Sequence, residues 1–577
     1  MGLRICLVTP FAWSRPHDVN EHVAGIATEL RKLGHTVTVL APSTRPAEVA
    51  AGRRTLLAGR EADVIALGSA VPISRRSRMG VPVGVRANLS LALAEGRYDV
   101  VHGFEPGLPS LSYLAVRDAY ALGVGTFLSP DRLAYPPGRA QRARLLSRID
   151  ALLATSQETA DAAAERYPGD YRIITPGVDT ELFQPVKKRR RIVLEWRPNE
   201  RAVAKSVLRT LRELGDWELV VLRTKPLLGR PSIPVAVRDR VTVKTARDGA
   251  TRAKILNESA IFVPALDGLP RVTLEAEAAG NAIVSPPHVE EQPELAGAAV
   301  ARLGEDRELR EQKGAEARAA AEPQSFAALA RDLDGLYTGL AALRRPGRDG
   351  DDPLADRDWI LCDLHMHTSW SHDCAIDVPE LLAHARAEGL GAIAVTDHNV
   401  FGGAREAAEL AGRDGLVVIP GEEVKTAGQG EVIGLFLSEE IPAGLSFAET
   451  VAAIHGQGGL VYVPHPFDRM HSIPDAATLH RHLAEIDVLE VYNARLLFDA
   501  YNDEALRFAR KYNLTMGAGS DAHVLQGVGT GALRMRTFRD PEEFQVSLRT
   551  AQVLRRPKSL LYLQSLKWAA QAKERVR

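Results

Sequence analysis

Cysteine, net charge and long hydrophobic stretches are all scarce in this 577-residue chain. The three cysteines, Cys6, Cys362 and Cys374, are too few for a disulfide framework and are consistent with a reducing cytosol. No apolar run approaches the roughly 18–20 residues that a membrane-spanning helix needs. The start, MGLRICLVTPF, lacks the charged region, long apolar region and cleavage site of a signal peptide. These absences predict a cytoplasmic protein without a membrane span.

The charges nearly cancel, with 72 Lys and Arg against 73 Asp and Glu and a net charge of -1. This balance excludes a global electrostatic footprint for nucleic acid or anionic lipid, so duplex nucleic acid is not an expected partner. The length predicts three or four domains at about 100–200 residues each.

Histidine is present in quantity but is unevenly distributed. Of the 16 histidines, five precede residue 345 and eleven follow it. The last two fifths of the chain therefore hold most of the side chains best suited to binding metals and carrying protons. We infer that one chain carries two different chemistries.

Alternating apolar runs and helical periodicities predict an α/β protein with parallel sheets. The first run, 4–8, is followed by a helical pattern through EHVAGIATELRKLG and then by a second strand. The basic run Lys187–Arg191 predicts a domain boundary, and RRPGRDGDDPLADRD predicts a linker. The predicted organisation is two α/β domains at 1–186 and 187–343, a linker at 344–358, and a third α/β domain at 359–577.

Five strand ends in the last domain each deliver histidine or carboxylate. His365 and His367 are two residues apart, so on a strand they face the same way and can bind one metal. Asp373 follows in the loop of the same segment, and the other four segments carry Asp397, His398, Glu422, Glu423, His465, Asp521 and His523. A lone histidine at a strand end is usually a satisfied loop residue, and we interpret His384, His455, His471, His480 and His482 in that way. Five convergent strand ends predict a metal site. The role of His372, which is adjacent to Asp373, stays open.

The segments DLHMHT, TDHN, Gly421–Glu423, HPF and GSDAH resemble, in this order, the PHP family of polymerase and histidinol phosphatase phosphoesterases. The resemblance implies a distorted (β/α)7 barrel with a cluster of two or three metals, and Glu423 as the bridging carboxylate. The implied ligands are His365, His367, Asp373, His398, Glu423, His465, Asp521 and His523. Glu431 stands where many members have a further histidine ligand, and it is a possible additional ligand.

Phosphate ester hydrolysis is the chemistry that this resemblance implies, with divalent Mn, Fe or Zn as cofactor. Asp397 and Arg495 are the predicted catalytic residues. We expect Asn493 and Arg495 to contact the substrate phosphate, although an ion pair is an equally open role for the arginine. The expected substrate is a small phosphate ester, a nucleotide or an oligonucleotide end. A metal-dependent sugar deacetylase or amidohydrolase is the alternative, because those barrels also begin with His-x-His.

The first 340 residues resemble the family-four glycosyltransferases, particularly phosphatidylinositol mannosyltransferases, which implies a GT-B pair of Rossmann-like domains. The resemblance rests on NEHVAGIATELRKLGHTVTVLAPS, YDVVHGFEPGLPSLSYLAV, TPGVDTELF and DGLPRVTLEAEAAGNAIVS. It implies a nucleotide-sugar site at Arg197, Arg201, Asp267 and Glu275.

Several departures fall on the chemistry of that site. His17 and Asp18 replace a Gly-Gly loop, Leu128 replaces a histidine, and the expected lysine is at best Arg201 or Lys205. We therefore expect impaired or altered sugar transfer. The alternative is an active glycosyltransferase whose product the PHP domain dephosphorylates.

Overall fold

The computed structural model describes residues 2–72, 80–198, 200–224, 229–265, 270–284, 294–345, 352–412, 415–559, 562 and 565–566. The chain forms two compact units, Met1–Ala341 and Ala342–Arg577. Among the described residues, no helix has both the length and the apolar character needed to cross a membrane.

The first unit begins with an eight-stranded sheet in the order β4-β3-β2-β1-β5-β6-β7-β8. Only the β3–β4 pair is antiparallel. The strands are β1 (Arg4–Val8), β2 (Thr36–Ser43), β3 (Val64–Pro72), β4 (Gly80–Val83), β5 (Val100–Phe104), β6 (Leu122–Phe127), β7 (Ala151–Ala154) and β8 (Tyr171–Ile173). The helices between them are α1 (Asp18–Lys32), α2 (Pro46–Leu57), α3 (Arg86–Gly96), α4 (Leu111–Asp118), α5 (Arg139–Leu146) and α6 (Gln157–Ala164).

A second, all-parallel sheet follows in the same unit, with the order β11-β10-β9-β12-β13. Its strands are β9 (Arg191–Glu195), β10 (Glu218–Arg223), β11 (Val241–Thr245), β12 (Ile261–Val263) and β13 (Ala282–Ile283). The helices are α7 (Arg201–Thr210), α8 (Gly249–Leu256), α9 (Pro270–Ala278), α10 (Glu294–Glu305), α11 (Arg307–Ala321) and α12 (Phe326–Ala341). The last helix, α12, packs against α1 of the first sheet. Apolar residues of β9 and β10 are buried on both faces, as helix-covered parallel strands require.

The second unit contains a nine-stranded sheet in the order β20-β19-β18-β17-β16-β15-β14-β21-β22. Its strands are β14 (Trp359–Met366), β15 (Ala392–Val395), β16 (Val417–Lys425), β17 (Glu431–Leu435), β18 (Leu460–Val463), β19 (Val488–Asn493), β20 (Thr515–Gly519), β21 (Gly531–Arg536) and β22 (Gln552–Arg555). The helices are α13 (Val378–Ala387), α14 (Gly402–Ala411), α15 (Phe447–Gly456), α16 (Ala476–Arg481), α17 (Asp499–Tyr512) and α18 (Pro541–Leu548).

The α/β class is confirmed, with two Rossmann-like parallel sheets followed by a nearly closed barrel. The first seven strands of the second unit, β14 to β20, curve into a ring. A parallel bridge between Met366 and Ala522 joins its two ends. The ring departs from a regular parallel repeat at β17, which runs antiparallel to both of its neighbours. The reason is a short connection, because only residues 426–430 join β16 to β17 and this length allows a hairpin.

Candidate metal centre

The predicted metal ligands of the second unit lie along one rim of the ring. His365 is near the end of β14 and His367 follows it, while His398 and His465 come just after β15 and β18. Asp521 and His523 follow β20, and Glu423 lies inside β16. This is the edge of a parallel sheet at which α/β proteins place their sites.

Three overlapping groups of these side chains have the spacing that a metal ion requires. Within each group, one ligand atom from each residue lies within 4.8 Å of the others. The groups are His367, His398 and His523; His365, His367 and Asp521; and His365, Glu423 and His465. Because His365 and His367 are each shared by two groups, the three sites form one continuous cluster.

Glu423 lies at the centre of the cluster. Its Oε2 is 3.1 Å from Nδ1 of His398 and 3.3 Å from Nε2 of His365. The other oxygen, Oε1, is 3.1 Å from Nε2 of His465. The adjacent Glu422 faces away and accepts from the backbone N–H of Ile441 instead, as strand alternation requires. One carboxylate with both oxygens facing different imidazoles has the geometry of a bridging ligand.

The backbone is strained at two of these positions. His465 and Asp521 have positive φ angles of 28° and 50°. A non-glycine residue in this region costs of order 1–3 kcal/mol, and such strain concentrates at functional sites. At Asp521 the surrounding structure holds the strained conformation, because its N–H donates to the carbonyl of His365 over 2.7 Å.

Burial opposes ionisation throughout the cluster, but its opposite charges lower the pKa values of the carboxylates Glu423 and Asp521 and raise those of His365 and His465. Burial opposes the charge of the Glu423 carboxylate, but the imidazoles of His365, His465 and His398 lower its pKa well below the usual range. Burial likewise opposes ionisation of Asp521, whose pKa is lowered by Arg495 and His365. Burial lowers the pKa of His367 well below the usual value, so this imidazole is neutral. Anionic carboxylates and neutral imidazoles are the ligand forms of these side chains.

A buried nitrogen supports the fit of a cation to this site. Nε2 of His367 is buried and makes no hydrogen bond within the described residues. It lies 3.4 Å from Oδ1 of Asp521 and 3.5 Å from Oε2 of Glu423. A neutral imidazole nitrogen facing two carboxylates would be satisfied by a divalent ion between them.

Asp373 and Glu431 flank the cluster on opposite sides. Asp373 places Oδ2 2.9 Å from Nε2 of His523. Glu431 is 3.8 Å from Nε2 of His465, and burial together with the charge of Glu423 raises its pKa. His372 remains at the edge, with its ring centroid 5.8 Å from that of His398.

Glu490 is a site residue that sequence reasoning missed. Its side chain is fully buried in β19 and accepts from Nδ1 of His365, from the hydroxyl of Tyr462 and from the backbone N–H of His465. Asp363 was also missed, and it accepts from the backbone N–H groups of Ser520 and Gly529. An acidic residue inside an apolar strand, as in VLEVYN, is the sequence feature that indicates such a buried partner.

Asp397 lies next to the cluster but faces the loop after β14. Its Oδ1 accepts from the N–H of Thr368 and the hydroxyl of Ser371, and its Oδ2 accepts from the hydroxyl of Thr368. Ser371 in turn accepts from the N–H of His398. These contacts give Asp397 the geometry of a positioning residue, held away from the ligand groups themselves.

Arg495 and Asn493 contact the cluster through Asp521. Nη1 of Arg495 donates to Oδ1 of Asp521 over 3.0 Å. The side-chain amide of Asn493 donates to Glu490 and to Oδ2 of Asp521. The structure thus shows the ion pair that the sequence left open for Arg495, whose side chain is still 30% exposed.

Comparison with known proteins assigns both units to families. Residues 363–508 match the PHP domain, residues 499–553 match the PHP-associated family, and residues 19–182 match Glycosyltransferase Family 4. An uncharacterized protein of Methanocaldococcus jannaschii is 34% identical over 212 residues, which are 34% of this chain and 84% of that protein. The chain belongs to the PHP family and carries a Glycosyltransferase Family 4 module.

The glycosyltransferase module is similar to a phosphatidyl-myo-inositol mannosyltransferase of Propionibacterium freudenreichii subsp. shermanii. The two are 32% identical over 169 residues, or 28% of this chain and 42% of the mannosyltransferase. The chain therefore spans less than half of that relative. Among solved structures, a glycosyltransferase from Rickettsia africae is 15% identical with a TM-score of 0.39, over 58% of this chain and 98% of that one.

Two of the four predicted donor-site residues of the glycosyltransferase module, Arg197 and Glu275, form ion pairs with other side chains of the protein. Arg197 pairs with the buried Glu195 over 2.7 Å and donates to the hydroxyl of Thr224. Arg201 begins α7 and is exposed. Asp267 lies outside the described residues.

Glu275 is enclosed by two arginines. It is buried on α9 and accepts from the guanidinium groups of Arg252 and Arg271. Both arginines also pair with Glu21 of α1, at 2.8 Å and 2.9 Å. These four residues form a four-membered ion cluster between α1, α8 and α9.

The start of α1, where the family has its Gly-Gly loop, carries a negative charge. His17 is the N-terminal cap, because its Nδ1 accepts from the N–H of Val19. Burial opposes the ionisation of Asp18, but His17, Arg132 and Arg271 lower its pKa below the usual range. An anionic carboxylate at a helix N-terminus occupies the position that favours a phosphate.

Proposed function

We propose that the PHP domain is a metal-dependent phosphoesterase that hydrolyses a small phosphate ester, a nucleotide or an oligonucleotide end. The observation that carries this proposal is the convergence of three imidazoles, those of His365, His398 and His465, on the single carboxylate Glu423. A site of this kind concentrates positive charge when loaded, although the whole chain has a net charge of only -1. The neutral chain favours a small substrate over a long polyanion.

The proposed cofactor is two or three divalent Mn, Fe or Zn ions. The proposed ligands are the seven residues of the three groups together with Asp373, and Glu431 is a possible further ligand. When bound, such ions neutralise phosphoryl oxygens and lower the pKa of a coordinated water. Mixed imidazole and carboxylate ligands suit all three metals.

Other residues of the chain orient the ligands and the substrate. Asp397 joins the loop that carries His367 to the loop that carries His398, through Thr368 and Ser371. Arg495 fixes Asp521 and, being partly exposed, also offers its cation to a substrate phosphate. In this proposal Asp397 keeps the metal ligands in position. Arg495 supplies a positive charge that binds Asp521 and the substrate phosphate.

The test is phosphate release by the purified full chain with Mn²⁺, compared between the wild type and the double variant His365→Ala, His367→Ala. We expect release by the wild type and none by the double variant. The matched control is His455→Ala, which removes an imidazole that pairs with Asp487 outside the cluster. Equal hydrolysis by the wild type and the double variant would refute the site, and acetate release from acetylated sugars without phosphate release would favour a deacetylase.

For the glycosyltransferase module we propose reduced or altered transfer. The support is local: Glu275 is neutralised by two arginines, Arg197 is paired with Glu195, and Asp18 places a negative charge at the start of α1. Nucleotide-sugars should therefore raise the melting temperature of the full chain by less than 1 °C at concentrations where a competent site would saturate. A shift of several degrees, with sugar transfer to an acceptor, would instead support an active transferase whose product the PHP domain dephosphorylates.

A further inference from the structure

One large aromatic side chain at the rim of the PHP cluster is exposed yet held in place. Trp370 follows β14 in the loop that carries His367, and it is 50% exposed. Its Nε1 donates to Oε2 of Glu406 on α14 over 2.8 Å. Exposed tryptophans are costly to leave in water, so a fixed one at a site edge has the character of a binding surface.

Two glycines at the start of α14, Gly402 and Gly403, pack closely against this indole. A Cβ added to Gly402 would lie 2.3–2.7 Å from three atoms of the six-membered ring of Trp370. A Cβ added to Gly403 would lie 3.0 Å from its Cδ1. The absence of side chains at the start of α14 therefore lets the ring lie directly on the backbone. The indole is anchored on that side and at its N–H, and half of its surface remains open to solvent.

The same contacts place the indole beside Asp397, which precedes the proposed ligand His398 in the chain. The Cβ position of Gly403 that approaches Trp370 also lies 2.0 Å from Oδ2 of Asp397, the residue before His398. The backbone N–H of Trp370 donates to the hydroxyl of Thr368, which itself donates to Asp397. Trp370, Asp397 and His398 thus belong to one hydrogen-bonded and packed unit.

Other exposed apolar side chains follow the same strand ends. Met470 comes five residues after His465 and is 70% exposed. Leu497 and Phe498 follow Asn493 and Arg495 and are also exposed. The rim around the polar cluster therefore carries apolar surface on three loops, of which only Trp370 presents an indole ring.

We propose that Trp370 is a stacking platform for the planar aromatic part of the substrate, a nucleobase, while the phosphate lies in the cluster. This inference rests on the phosphoesterase function proposed above and narrows its substrate class to nucleotides and oligonucleotide ends. Any nucleobase can stack on an aromatic ring, so this surface would favour nucleotides without selecting one base. A sugar phosphate or glycerol phosphate has no planar ring and gains nothing from this surface.

The experiment compares adenosine 5′-monophosphate, adenosine 3′-monophosphate and glycerol 2-phosphate as substrates of wild type, Trp370→Leu and Trp370→Phe. We expect Trp370→Leu to raise KM for at least one of the adenosine phosphates about 10-fold with little change in kcat. Trp370→Phe should restore most of the affinity, and glycerol 2-phosphate should respond to neither variant. Leu410→Ala is the matched control, because it removes an exposed apolar side chain from α14, the helix against which Trp370 packs. It should leave KM and kcat unchanged for all three substrates.

Calorimetric binding of adenosine 5′-monophosphate to the Mn²⁺-loaded full chain supplies a readout that does not depend on turnover. Trp370→Leu should weaken this binding about 10-fold and Trp370→Phe should weaken it far less. Equal Kd values for wild type and Trp370→Leu, or equal losses with the adenosine phosphates and glycerol 2-phosphate, would overturn the stacking role. If no ester released phosphate, the proposed phosphoesterase activity would be contradicted. The binding comparison would still test whether Trp370 stacks on the nucleobase.

Discussion

Nδ1 of His365 donates to Oε1 of Glu490 over 3.1 Å, and both side chains are completely buried. The same carboxylate accepts from Tyr462, from Asn493 and from the backbone of His465. With Nδ1 engaged in this way, Nε2 of His365 faces Glu423 and the cluster. A carboxylate behind a ligating histidine fixes the tautomer and the ring orientation of that histidine.

We therefore expect Glu490→Gln to lower metal affinity about 10- to 100-fold, because the amide cannot hold the imidazole as strongly. Calorimetric titration of the metal-free chain with Mn²⁺ measures this change. The control is Asp487→Asn, which alters a carboxylate–histidine pair with His455 outside the cluster and should leave metal affinity unchanged. Unaltered affinity in Glu490→Gln would show that His365 is oriented without it.

The grouping of the proposed ligands could be anticipated from sequence because most of them lie at or just after the end of an apolar strand run. Parallel strands deliver their ends to one edge, so His365, His398 and His465 meet although they are far apart in the chain. The roles of the buried Glu490 and Asp363 escaped this reasoning because an acidic residue inside an apolar strand indicates a buried partner but does not say which residue that partner is. Their roles depend on which neighbouring strands they face, and that is a property of the closed sheet.

The family resemblance predicted a barrel but did not predict that β17 runs antiparallel to its neighbours. The antiparallel course of β17 follows from the five residues after β16, which include Gly428 and Gly430 with φ of 78° and 92°. Glycine at such angles is the local feature that makes a hairpin possible. In the first unit, the pairing of Arg271 with Glu275 has the local i,i+4 spacing of a helix, whereas the contacts of Arg252 with Glu275 and Glu21 join separate helices and no local pattern indicates them.

Gly403→Ala should weaken metal binding although Gly403 is not itself a proposed metal ligand. The added Cβ would lie 2.0 Å from Oδ2 of Asp397 and 2.6 Å from the hydroxyl of Thr368, so this loop must move. Overpacking of this kind costs about 1–3 kcal/mol. We expect a lower melting temperature and weaker Mn²⁺ binding. Gly456→Ala on α15 is the control, since its Cβ meets nothing within 4 Å, and it should leave both quantities unaltered or slightly raise stability.

Glu105 predicts a pH dependence of stability in the first unit. The side chain is buried, and one oxygen accepts from Arg132 while the other has no partner within the described residues. Burial raises the pKa of Glu105 to about 7, despite the opposing charge of Arg132. The folded state therefore binds this proton more tightly than the unfolded state. The associated stability is present below about pH 4.5 and is lost as the pH rises to about 7, a change on the order of 3 kcal/mol.

The measurement is the melting temperature of wild type and Glu105→Gln at pH 5 and pH 8. The neutral amide does not ionise, so the variant should gain stability relative to wild type at pH 8. Glu61→Gln alters an exposed partner of Arg4 and should show no such pH-dependent difference. A constant difference between Glu105→Gln and wild type at both pH values would contradict the raised pKa.

Because Glu275 lies in the ion cluster, the local stability of α8 and α9 should depend on its carboxylate. Glu275→Gln leaves Arg252 and Arg271 with Glu21 as their remaining carboxylate within the cluster, and breaking a buried pair costs about 3–5 kcal/mol. We expect faster hydrogen exchange of the backbone amides of α8 and α9, measured by mass spectrometry. Glu311→Gln removes an exposed partner of Arg307 and should change exchange little, since such pairs contribute roughly 0–1 kcal/mol. If Glu275→Gln left exchange unchanged and instead created nucleotide-sugar binding, the carboxylate would be an obstacle to the donor and not a support of the fold.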